Sequence, residues 1–109
     1  MTVKELAEVL NLEIISKGAH FDANVEGCFA GDLLSLAMSG VQSGDVWVTV
    51  QTNVNILGIA ALTDAACVLV ANGMNIPTEV SAKAAEEGIC LLRSGKGAYE
   101  LCCLIGKSL

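Results

Sequence analysis

The apolar positions of this chain follow two rhythms. Val3, Leu6, Ala7 and Leu10 recur at three- and four-residue spacing behind the capping-box pair Thr2 and Glu5, which predicts a helix over about 3–10. Five short, continuous apolar runs then read as strands: LEIIS at 12–16, EGCFA at 26–30, VWVTV at 46–50, ACVLVA at 66–71 and ICLLR at 89–93. Helical segments separate the later runs. LLSLAM at 33–38 follows Asp32, a suitable cap, and NVNILGIAALT at 53–63 carries Asn53 in the same role. Pro77 stands at the first position of a helix that runs to Gly88, where glycine is the expected stop. A last helix is expected from about Ala98 to Ile105. The segments SGVQSGD (39–45) and SGKG (94–97) read as loops and NGMN (72–75) as a turn, while residues 17–26 form the one loose stretch.

From Cys28 onward strands and helices alternate, and the strand runs are continuous rather than alternating apolar and polar. Parallel strands covered by helices on both faces have this pattern. The expected architecture is α/β, a three-layer α/β/α sandwich with a small, mainly parallel sheet and right-handed crossovers, as one domain over 1–109. A chain of 109 residues buries roughly 65% of its unfolded surface, so its core requires no disulfide or metal.

Composition narrows the function classes. Hydrophobic residues make up 53% and charged residues 17%, with a mean hydropathy of +0.60. The sheet is therefore buried on both faces, or apolar surface is buried against a partner, or both. The longest apolar run, ILGIAALTDAACVLVA (56–71), is broken by Thr63 and Asp64 and falls short of the ~20 residues that span a bilayer. The charged start, with Lys4, Glu5 and Glu8, is not a signal peptide. A cytoplasmic protein without membrane contact is expected. A net charge of −6 without a basic cluster speaks against nucleic acid.

No catalytic constellation is visible, so a non-enzymatic protein without a cofactor is expected. The five cysteines (28, 67, 90, 102 and 103) form no CxxC pair, and Cys67 and Cys90 lie in strand runs as small buried hydrophobes. Adjacent Cys102 and Cys103 would diverge by about 100° on a helix. The single histidine, His20, completes no metal site. His20 and Asp22 read as a solvated loop rather than a dyad. There is no GxGxxG, no GxxxxGK[ST] and no nucleophile elbow. Lys96, between two glycines at a helix start, is too short a motif to define an anion site.

Open α/β sheets bind ligands beyond the carboxyl ends of their strands. Three junctions qualify: Gly31-Asp32, Thr49 to Asn55, and Asn72-Gly73. They supply the candidate ligand-binding residues Asp32, Thr49, Gln51, Asn53, Asn55 and Gly73. The same residue types also favour caps and turns regardless of function, and both readings stand at this point.

The segments AGDLLSLAM, GDVWVTVQTNVNILGIAAL, ACVLVANGMNIPTEVSAKAAEEGICLLRS and AYE, over about residues 25–103, resemble a DRTGG domain of the free-standing type. The wider superfamily resembles the N-terminal domain of HPr kinase/phosphorylase, a small α/β/α sandwich. The family's naming residues are partly replaced: Asp32 matches its Asp, Leu33 stands at its Arg, Ala71 and Asn72 replace its Thr-Gly, and Gly73 remains. Loss of the Arg removes the evident anion-binding cation. The resemblance implies a regulatory or assembly domain that self-associates, as a homodimer or higher homo-oligomer, or docks on a larger metabolic enzyme. It implies as alternatives a nucleotide or metabolite sensor at the strand ends, or an accessory of an iron hydrogenase system that carries redox equivalents or a cluster.

Overall fold

Ten elements occur in the expected order in the computed structural model, which describes residues 1–109. They are α1 (Val3–Val9), β1 (Glu13–Ser16), β2 (Gly27–Ala30), α2 (Leu34–Gly40), β3 (Asp45–Thr49), α3 (Asn55–Thr63), β4 (Cys67–Val70), α4 (Thr78–Glu87), β5 (Leu91–Arg93) and α5 (Ala98–Ser108). The strands form one sheet in the order β1-β5-β4-β3-β2. Strands β2 to β5 run parallel to their neighbours, and β1 pairs antiparallel with β5 at the edge.

The continuous apolar runs have a direct cause: β3 and β4 are buried at every position. Their side chains alternate between two cores. Trp47, Val68, Val70 and Leu91 meet α2, α3 and α4 on one face through Ala37, Ile56, Leu57, Ala60, Val80 and Ala84. Val46, Val48, Leu69, Ala71 and Leu92 meet α1 and α5 on the other through Val3, Leu6, Leu101 and Ile105. The result is the three-layer α/β/α sandwich. All three crossovers between parallel strands lie on one face, and strand order never reverses from β2 to β5. The sheet therefore lacks the topological switch point at which doubly wound folds open a ligand crevice.

Several boundaries reflect local chemistry. The capping box at α1 is formed: Thr2 N donates to Glu5 Oε1 at 2.8 Å and Glu5 N to Thr2 Oγ1 at 3.1 Å. Helix α4 ends at Gly88 in the left-handed region (φ 71°), while Pro77 is its N-cap rather than its first helical residue. Helix α5 continues three residues past Ile105, to Ser108.

The 17–26 segment differs from the loose stretch expected. Its backbone is tied to α1 by Lys4 N to Phe21 O (2.9 Å) and Val3 N to Ala23 O (3.0 Å), and to the α4–β5 turn by Ala19 N to Gly88 O (2.9 Å). Phe21 and Val25 are buried in the α1/α5 core. Gly18, at φ +66°, passes so close to Cys90 that an added Cβ would lie 2.3 Å from its backbone nitrogen. Polar composition concealed two apolar anchors and a backbone ladder.

Candidate functional site

The three parallel junctions open on one edge of the sheet, and there the structure gathers some of the predicted residues and separates others. Asp32, Thr49 and Gln51 form one network. The Asp32 carboxylate accepts from Thr49 Oγ1 at 2.9 Å and from Val50 N at 2.8 Å through the same oxygen. Gln51 N donates to Thr49 Oγ1 at 3.1 Å, and its Nε2 reaches the Asp32 carbonyl at 3.0 Å. Trp47, fully buried, adds its indole N–H to the Gly31 carbonyl at 2.9 Å.

Asp32 is thus not the cap of α2. Leu33 occupies the N-cap position and no side chain caps that helix. Two donors at the end of β3 hold the carboxylate instead, because β2 and β3 are parallel neighbours whose ends lie side by side. Asn53 is not the cap of α3 either: Val54 holds that position without a side-chain cap bond, and Asn53 sits one residue earlier, where its Oδ1 accepts from Asn55 N at 2.8 Å and its carbonyl from Ile56 N at 3.0 Å. Asn53 and Asn55 make no side-chain bond to the Asp32 group.

Gly73 lies in the neighbouring junction. Its carbonyl accepts from Arg93 Nη2 at 2.8 Å, Met74 O accepts from Nε at 2.8 Å, and Nη1 pairs with Glu13 Oε1 at 2.8 Å. The chain's only arginine therefore fastens the β4–α4 turn to the edge strand β1. Sequence patterning overlooked this clamp, although a lone arginine at the end of an apolar strand was a usable signal. Each of its three nitrogens donates to a protein acceptor.

At the opposite edge, His20 Nε2 lies 2.8 Å from Asp64 Oδ1, and Ser43 Oγ donates to Asp64 Oδ2 at 2.7 Å. His20 pairs with Asp64 rather than with Asp22. The Ser43 hydroxyl, followed by the His20 contact, holds the Asp64 carboxyl below the usual carboxylate range. The order is serine, aspartate, histidine, so the hydroxyl bonds the carboxylate and not the imidazole. A nucleophile-activating triad needs histidine in the middle.

The cysteines separate as well. Cys67 and Cys90 are both buried, and the neighbouring Cys90 thiol, followed by burial, pushes the Cys67 thiol well up. Cys28, on edge strand β2, turns its thiol onto Cys102 of α5. Burial first, then the Cys102 thiol and Asp45, push it up to about 12. The neighbouring Cys103 thiol, one turn further along α5, pushes the Tyr99 phenol up. No three His, Cys, Asp or Glu side chains converge as a metal site would, and no buried side-chain nitrogen or oxygen lacks a partner.

A groove of about 490 Å³ lies on the helical face, between α2 (Leu34, Met38), α3 (Val54 to Leu62) and α4 (Lys83, Glu87). Of the six candidate residues, Asn55 alone lines it. Around it Met38 is 51% exposed, Val54 40% and Leu62 70%. No helix is long and apolar enough to cross a membrane.

The fold and these surfaces define an α/β sandwich with a braced polar edge and an open apolar groove. It is similar to a solved structure, the CBS and DRTGG domains of the regulatory region of Clostridium perfringens pyrophosphatase, complexed with the activator diadenosine tetraphosphate. The match has a TM-score of 0.72 at 13% identity and covers 99% of this chain. This chain spans about half of that one, 47%. The likeness supports the DRTGG-like fold expected from the sequence. No family model matches the chain, and no curated protein matches it.

Proposed function

We propose that this chain is a non-catalytic regulatory or assembly module that acts by binding protein surface, its own copies or a larger metabolic enzyme. The observation that carries this reading is the contrast between the two faces just described. At the strand ends, where α/β proteins keep reacting groups, Asp32, Thr49 and Gln51 bond to one another or to backbone, and Arg93 bonds to backbone and to Glu13. The largest opening is instead an apolar groove beside exposed Leu62 and Met38. Exposed apolar surface of this kind marks sites that bind a protein partner or a ligand. The fold likeness to a regulatory region agrees with this reading. Sedimentation velocity across micromolar concentrations, with hydrophobic-dye binding in parallel, tests it. Assembly, or dye binding by a monomer, is expected; a strict monomer that binds no dye overturns it.

A second reading, a small-molecule sensor at the strand ends near Asp32, Thr49, Asn53, Asn55 and Gly73, draws on one observation: the similar solved structure holds a nucleotide activator. A true ligand at a hundredfold excess over its dissociation constant stabilises by about 2.7 kcal/mol. Thermal unfolding with adenine nucleotides, on the natural chain and on Asn55→Ala, checks this. An unchanged melting temperature for the natural chain removes the nucleotide, and equal shifts in both chains remove Asn55.

A further inference from the structure

We propose that the α2–α3 face is where two copies of this chain meet across a two-fold axis, with Lys83 of each copy against Glu87 of the other. The inference rests on the association reading above and adds its partner and its symmetry.

Charge distribution carries it first. The chain holds 12 acidic and 6 basic residues for a net charge of −6. Yet from Leu33 to Thr63, the stretch that builds α2, β3 and α3, the only charged residue is Asp45. That residue is buried, its carboxylate accepting from Gln42 N at 2.8 Å. The outer faces of α2 and α3 are therefore uncharged on a strongly acidic molecule. Two acidic copies repel through most of their surface, and like charges brought together oppose association. The α2–α3 face is where they approach without that repulsion.

Shape and chemistry agree. The exposed side chains Leu33, Leu36, Met38, Val54 and Leu62 lie on or beside these two helices. Gly58 lines the groove, and a Cβ built there meets nothing within 4 Å. The α3 backbone is thus open to a facing helix.

The rim selects the occupant. The α4 wall of the groove carries one cation and one anion, Lys83 and Glu87, with Nζ and Oε1 3.7 Å apart. In a two-fold interface a contact between residues i and j occurs twice, i to j and j to i. A wall with one charge of each sign is thus complementary to its own copy, and rotation places each lysine against the other copy's glutamate.

The test is a charge exchange read by sedimentation equilibrium, with Leu62→Glu as a separate probe of the apolar centre. Leu62 is 70% exposed, so the isolated fold tolerates the change, and circular dichroism verifies it. Leu62→Glu is expected to raise the dimer dissociation constant at least tenfold, since two glutamates meet near the axis. Lys83→Glu alone and Glu87→Lys alone each place like charges across the rim and weaken self-association several-fold. Mixing those two variants restores it as a heterodimer, because both rim contacts again join opposite charges. The double exchange Lys83→Glu/Glu87→Lys also restores it. If the chain associates but none of these variants alters it, the interface lies elsewhere, for instance along the open β2 edge, and this inference fails while the association reading stands. A dye-binding monomer likewise overturns the second copy as occupant and leaves a different protein partner. A monomer without dye binding removes both.

Discussion

Asp32 and Thr49, seventeen residues apart, are joined by a 2.9 Å hydrogen bond that locks the end of β2 to the end of β3. The same carboxylate oxygen takes the Val50 amide at 2.8 Å. Thr49 is 1% exposed, so losing its acceptor leaves a buried hydroxyl without its partner, at a cost of about 1–3 kcal/mol. Asp32→Ala is expected to destabilise the chain by about 1–2 kcal/mol, toward the lower part of that range because Asp32 itself faces solvent. Thr49→Val is expected to cost a similar amount. The double variant should fall short of the sum, with a coupling of roughly 0.5–1 kcal/mol. Urea titrations of the four chains measure this cycle. Strict additivity would show that the bond contributes nothing to stability.

How much of this was legible in the sequence depended on the range of the interactions. The α1 cap was readable because Thr2 and Glu5 are three residues apart and satisfy each other's backbone donors. The stop of α4 was readable because Gly88 takes a left-handed conformation that glycine adopts without strain. The burial of β3 and β4 on both faces was readable from their unbroken apolar runs. Asp32 was misplaced because two donors from a neighbouring strand, distant in sequence, prevailed over the nearby helix start. Arg93 was overlooked because its three acceptors come from Glu13, Gly73 and Met74. The groove was foreshadowed only as a surplus of apolar residues. That α2 and α3 share one open face follows from three crossovers on one side of the sheet, which patterning alone does not show.

The Asp64 contacts give the chain a defined acid response. Ser43 and then His20 depress the Asp64 pKa below its ordinary range in the folded state. A depressed folded-state pKa means that the contribution is present above the unfolded value, about 3.9, and is lost as pH falls through the folded value. Glu5, held down by the Thr2 backbone and hydroxyl, acts with the same sign. Melting temperature should therefore fall as pH is lowered below about 4. Asp64→Asn should make that fall shallower, and Asp64→Asn/Glu5→Gln shallower still. Calorimetric scans between about pH 2 and 6 read the slopes. An Asp64→Asn slope equal to that of the natural chain would mean that the Ser43 and His20 contacts do not persist in solution.

The five thiols should divide by environment. Cys67 and Cys90 are 1% and 3% exposed and should react only on unfolding. Cys28 sits on an edge strand, but its thiol lies against Cys102 and is pushed up to about 12. The thiolate is the nucleophile, so at neutral pH Cys28 should be orders of magnitude slower than an ordinary cysteine. Rapid labelling of the native chain should therefore spare Cys28 although the residue is exposed, and mass spectrometry of short-pulse alkylation at pH 7.5 identifies which thiols react. Cys28→Ser should leave the fast population unchanged or speed Cys102, whose neighbouring thiol is then gone. Fast labelling of Cys28 in the natural chain would show that α5 does not cover β2 as described.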